Sequence, residues 1–118
     1  MPNIKCNITR ADGSVDVLEL RNCIEVMGHD DTLPFNAQVF LNTVYVANAW
    51  NTGWGEDAEF RLLPNVPADI FSGVEEALGK IALLKAYPDS RWRLTSLFDH
   101  MAEESICRHK KLFVPKPF

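Results

Sequence analysis

The segment Phe35 to Ala49, FNAQVFL-NT-VYVANA, constrains the fold most, because two runs rich in β-branched and aromatic residues flank Asn42-Thr43. Such residues favour the pleated, half-buried surface of a strand, and two runs around a short polar pair predict a hairpin. The turn contains no glycine, although the tightest hairpins require positive φ at one or both central positions. Everything else in the chain has to pack around this pair.

A second hairpin is expected upstream. Ile4, Cys6 and Ile8 alternate with Lys5, Asn7 and Thr9, Asp12-Gly13 marks a turn, and VDVLEL resumes the alternation at Val15 and Val17. Cys23 to Met27 either extends that strand or forms another before Gly28 and the polar group His29, Asp30, Asp31 interrupt it. A fifth strand, Ala58 to Leu63, follows the NTGWGED loop, and Pro64 and Pro67 end the sheet. The pattern then changes period. Ser72 and Glu75 have capping-box spacing, with a start near Asp69 the alternative, and Val74, Ala77, Leu78, Ile81, Leu84 and Lys85 recur at helical intervals until Pro88. A second helix is expected from Thr95 or Ser96, with Leu97, Phe98, Met101, Ala102 and Ile106 on one side. Arg108 to Lys111 then lie near the negative end of its dipole, and the proline-rich LFVPKPF tail reads as extended. Strands first and helices last imply an α+β domain spanning 1–118: an antiparallel sheet of about five strands with two helices packed on one face.

Composition narrows the function classes. At 118 residues and 47% hydrophobic, the chain can bury one core without disulfides, and its three cysteines, an odd number without CxxC spacing, fit a reducing cytoplasm. The net charge of -4 disfavours nucleic acid, whose nonspecific binding rests on cationic side chains. No apolar run is long enough for a signal peptide or a membrane span.

The loop NTGWG holds the most distinctive candidate. Gly53 and Gly55 permit left-handed backbone angles on either side of Trp54, so the indole either stands out as a docking anchor or folds back over an open sheet end. Tryptophan is prominent among binding hot spots. Trp50 is expected on the inward side of its strand, as core packing. The same stretch resembles a pattern in small uncharacterised proteins of bacteriophages and mobile elements, in which F-x-A opens a hairpin and N-x-G-x-G follows its second strand. The matching positions are Phe35, Ala37, Asn51, Gly53 and Gly55, about a fifth of the chain. The residue between the glycines is often basic in that group, and a further glycine often follows. Trp54 and Glu56 occupy those positions in this chain. The resemblance implies a host-modulating or anti-defence role.

The remaining candidates have ordinary readings. Glu56, Asp57, Glu59, Asp30, Asp31, Glu75 and Glu76 would make an acidic patch suited to a basic groove if gathered on one surface, but interspersed cations make a solvated surface the simpler reading. His29, Asp30, Asp31, His100 and Glu104 have spacings that chance supplies as readily as metal binding does. Cys107 and His109 diverge on a helix, and Cys6 alternates with isoleucines as a core residue would. No G-x-S-x-G, phosphate-loop, dinucleotide or H-E-x-x-H motif occurs.

The expected activity is therefore non-enzymatic: binding of a host or phage protein, as an inhibitor of a host defence system, anti-CRISPR-like, in the bacterial cytoplasm. Trp54 is the expected anchor, with Asn51, Glu56 and Asp57 as its polar rim, and neither metal nor cofactor is expected. Association through an exposed sheet edge or the aromatic loop would give a homodimer. The alternative is a small-molecule or nucleotide-binding module, hydrolytic in one version, whose pocket lies between sheet and helices with Trp50, Trp54 and Trp92 as walls.

Overall fold

A computed structural model describes residues 3–27, 32–79 and 90–113, with side chains described except at 90–92 and 107–113. Five antiparallel strands lie in chain order: β1 (Ile4–Thr9), β2 (Val15–Glu25), β3 (Phe35–Leu41), β4 (Val44–Asn51) and β5 (Glu59–Leu62). Helices α1 (Ser72–Leu78) and α2 (Ser90–Phe113) follow. The α+β architecture read from the sequence is the one observed.

The register puts Ile4, Leu20, Val39, Ala47 and Leu62 in one row across all five strands. These residues join Val74, Leu78, Leu94, Phe98 and Met101 of the helices in a common core. Three phenylalanines lock its β5 side: Phe60 meets Phe71 at 5.4 Å and Phe98 at 5.7 Å, both edge to face, an arrangement aromatic quadrupoles favour.

Strand β2 runs through Arg21 to Glu25, so Cys23 and its neighbours extend the strand, with an irregularity between Arg21 and Ile24 where Asn22 takes φ 52°. A second irregularity has larger consequences. Val39 pairs with Ala47 while Phe40 pairs with Tyr45, so Val46 is an extra residue in β4. Alternation from Val44 through Val46 would turn Asn48 and Trp50 toward the helices. The insertion inverts the phase, because a one-residue slip exchanges the two faces of a strand. Val46 and Ala47 are both buried, Ala49 and Asn51 face inward, and Trp50 lies half-buried on the helix-free face, the one that no described helix covers. Trp50 is therefore not the core residue the sequence pattern suggested.

The helices also differ from expectation at their starts. Phe71, not Ser72, occupies the N-cap position of α1, and no side chain caps it. Ser72 N–H instead donates to the Asp69 carbonyl in a preceding turn, while the Phe71 ring is drawn into the aromatic cluster. The expected continuation through Ile81 and Leu84 lies outside the described residues. Helix α2 begins at Ser90, earlier than Thr95, since buried Leu94 extends its apolar face upstream. Leu112 and Phe113 continue it, so the start of the LFVPKPF tail is helical.

The β3–β4 turn shows how a hairpin dispenses with glycine. Asn42 and Thr43 both have positive φ, 51° and 71°. Asn42 is compensated: its N–H donates to the Val17 carbonyl at 2.8 Å, its Oδ1 accepts from Val17 N–H at 2.8 Å, and its Nδ2 donates to Asp16 Oδ1 at 2.9 Å. Burial alone would raise the Asp16 carboxyl, but hydrogen bonds from Arg10 and Asn42, with the Arg10 charge, outweigh it and hold it below its ordinary value. No such compensation is seen at Thr43, a β-branched residue in a left-handed conformation. Thr43→Gly should therefore stabilise the fold by about 1 kcal/mol, whereas Asn42→Gly should destabilise it by a similar amount, about 1 kcal/mol. Urea unfolding of the two variants checks the opposite signs.

Candidate functional site

The loop between β4 and β5 is built around one buried amide. The β4 bulge turns Asn51 inward at the strand's end, where only 4% of its surface remains exposed. Its Oδ1 accepts from Gly53 N–H at 2.8 Å and from the Thr32 hydroxyl at 3.0 Å. Its Nδ2 donates to the Glu56 carbonyl and to Asp99 Oδ1, both at 2.9 Å. One side chain thus ties the loop to the segment before β3 and to α2.

Two further contacts complete the mount. Thr32 N–H donates to the Gly53 carbonyl at 3.1 Å, and Gly55 N–H donates to the Thr32 hydroxyl at 3.3 Å. The second oxygen of Asp99 accepts from Ala58 N–H at 2.8 Å, where the chain re-enters the sheet. Gly53 and Gly55 have φ 88° and 89°, whereas Trp54 between them is not in the left-handed region. The glycines supply the reversal, and the indole projects with 65% of the residue exposed.

Beside the loop lies an open cleft of about 610 Å³ between the strand ends and α2. Five carboxylate side chains line it, Glu25, Glu56, Asp57, Asp99 and Glu103, and no described Lys or Arg does. Burial pushes the Asp99 carboxyl above its ordinary value, and the Asp57 charge adds to the rise. The hydrogen bonds from Asn51 and Ala58, with the His100 charge, offset part of it.

The structure thus sorts the residues singled out from sequence. Trp54, Glu56 and Asp57 are exposed around the loop, while Asn51 lies beneath it and positions it instead of forming its rim. Among the acids, Glu56 and Asp57 reach the cleft, Glu59 pairs with Trp50 in the sheet, Glu75 and Glu76 belong to α1, and Asp30 and Asp31 lie outside the described residues. Sequence reasoning missed Asp99 and Thr32. A carboxylate between Phe98 and Met101 on an apolar helix was the available signal for Asp99. Thr32 carried none, because its role depends on β3 and β4 being adjacent.

Other chemistry is thinly furnished. His100 and Glu104 are exposed, His29 lies outside the described residues, and among those described no three His, Cys, Asp or Glu side chains gather as a metal site. Burial pushes the Cys23 thiol up to about 11, with a Ser105 hydrogen bond opposing it. Burial and the Glu104 charge also raise Cys6, so neither thiol is poised as a thiolate nucleophile near neutral pH. The side chains of Cys107, His109 and Trp92 are outside the described residues. Trp50 and Trp54 do not share a pocket between sheet and helices, because Trp50 is on the opposite face. No family model, curated protein or solved structure matches this chain.

Two outcomes follow from the mount. Asn51→Ala leaves several buried groups unpaired and should cost at least about 2 kcal/mol in denaturant unfolding, while Glu56→Gln should stay within about 0.5 kcal/mol. In an NMR pH titration, the Ala58 amide should report an Asp99 midpoint above the ordinary carboxylate range, and Asp99→Asn should abolish that transition. The folded chain holds this proton more tightly than the unfolded chain does, so Asp99 ionisation lowers stability as pH rises through its folded-state pKa. At Asp16, whose pKa is lowered, the sign is reversed, and stability is lost as pH falls through its folded-state pKa.

Proposed function

We propose that this chain acts by binding another protein, with Trp54 as the anchor and the acidic cleft as the charged part of the contact. The observation that carries this reading is a tryptophan 65% exposed on a loop whose base is fixed by a 4% exposed asparagine. A rigid aromatic releases much water on docking at small entropic cost, and a preformed mount avoids the ordering that weakens flexible loops. The exposed cleft carboxylates Glu56, Asp57 and Glu103 then favour a partner with a basic surface.

The resemblance to bacteriophage and mobile-element proteins supports a bacterial setting for that partner, since Asn51, Gly53 and Gly55, three of the positions that carry it, build this loop. In that setting the chain is an inhibitor of a host defence system, anti-CRISPR-like, working in the bacterial cytoplasm. An acidic cleft beside an aromatic anchor suits a basic groove that otherwise holds nucleic acid. No helix among the described residues is long and apolar enough to cross a membrane.

Affinity capture from the bacterial host, followed by titration of the recovered protein, tests the reading. Trp54→Ala should weaken binding by about 30-fold, corresponding to about 2 kcal/mol for a hot-spot residue. Glu56→Lys with Asp57→Lys should slow association and reduce its salt dependence. Recovery of the same partner with unchanged affinity by Trp54→Ala would show that the anchor lies elsewhere.

A further inference from the structure

The helix-free face of the sheet carries a second concavity of about 330 Å³, built by neighbouring strands. Asn22 comes from the β2 irregularity, Asn36 and Gln38 from β3, and Asn48 and Trp50 from β4. The register sets Gln38 opposite Asn48 and Asn36 opposite Trp50. Side chains two apart on a strand share a face, and partners on adjacent strands stand about 5 Å apart. The result is a compact array of three amides and one indole, with a fourth amide at its edge.

The hydrogen-bonding state of these amides gives the array a direction. Asn22 Nδ2 donates to Gln38 Oε1 at 2.6 Å, and the Tyr45 hydroxyl donates to Asn48 Oδ1 at 2.5 Å. Both carbonyl oxygens are engaged in these bonds, and among the described residues the Gln38 and Asn48 amide nitrogens make no hydrogen bond, which leaves them as donors for a ligand. Asn36 is exposed and contributes both a donor and an acceptor.

Among the described residues no charged side chain lines the groove, although charged side chains make up 24% of the chain. Arg21 pairs with Gln38 in register but is held elsewhere: its Nη2 meets Glu19 Oε1 at 3.0 Å and its guanidinium lies 3.9 Å above the Phe40 ring. Arg61 pairs with Asn48 in register and lies outside the groove lining. An anionic ligand would therefore meet no cation among the described groove residues. Complementarity of charge and hydrogen bonding favours a neutral ligand that both donates and accepts along its edge and offers an apolar face to an indole.

A sugar ring has these properties: its hydroxyls are donors and acceptors, and its axial C–H groups form an apolar face. We propose that this groove is a binding site for a neutral saccharide, with one pyranose ring against Trp50 and its hydroxyls bonded by Asn36, Gln38 and Asn48. The site is independent of the Trp54 loop, and the two can succeed or fail separately.

The test is an NMR titration of the intact chain with maltohexaose, cellohexaose and N-acetylchitohexaose, with adenosine monophosphate as the anionic comparator. At least one saccharide should shift the Trp50 indole signal and the side-chain amides of Asn36, Gln38 and Asn48, saturably and together. Trp50→Ala and Asn48→Asp should each weaken that binding about tenfold or more, the equivalent of about 1.4 kcal/mol, while Trp54→Ala leaves it unchanged. The proposal is overturned if none of the three sugars moves these signals, if the nucleotide moves them and the sugars do not, or if both groove variants bind as the natural chain does.

Discussion

The extra residue at Val46 determines what each face of the sheet presents, because everything downstream of it in β4 is turned over relative to Val44. Without it, Asn48 and Trp50 would face the helices and Asn51 would face water. With it, two small residues, Ala47 and Ala49, are buried in the core instead. Asn51 is delivered to the buried corner where the β4–β5 loop, the segment before β3 and α2 converge. The Trp54 loop and the amide groove are therefore consequences of the same insertion.

A helix-free sheet face has to avoid collapse and nonspecific association, and this one covers part of itself. Glu19 is only 4% exposed although it lies on that face, because Arg21 reaches over Phe40 and pairs with it. Phe40 and Tyr45 stack at 5.2 Å alongside. Among the described residues the Arg21 Nε is nevertheless buried without a hydrogen-bond partner. That is tolerable for a delocalised cation whose charge is met by a carboxylate and an aromatic face. This strip closes one end of the face and leaves the neutral amide groove beside it.

The parts legible in the sequence were those governed by short-range pattern. Alternation at Ile4, Cys6 and Ile8, the Asp12-Gly13 turn and the paired runs around Asn42-Thr43 located the first four strands, and the glycines around Trp54 marked its loop. The bulge was not legible, because Val46 and Ala47 are both apolar and either could face the core. That ambiguity put Trp50 on the wrong face and Asn51 on the wrong side of its loop. The early start of α2 was hidden for a similar reason: buried Leu94 is followed by Thr95 and Ser96, which are buried too but polar, so the pattern does not mark an apolar face there. Asp99 and Thr32 could not be recognised as loop ligands until strands and helix were placed together.

The separation between Trp54 and the residues that hold it bears on what the tip can carry. All the unusual backbone angles in the loop fall on the flanking glycines, and the bonds that set its shape go to Asn51, Thr32 and Asp99. The tip itself sits in ordinary backbone that any L-amino acid can adopt. A cation, an acid or another ring at that one position would therefore ask no left-handed backbone angle of the new residue, and the bonds of the socket beneath do not pass through it.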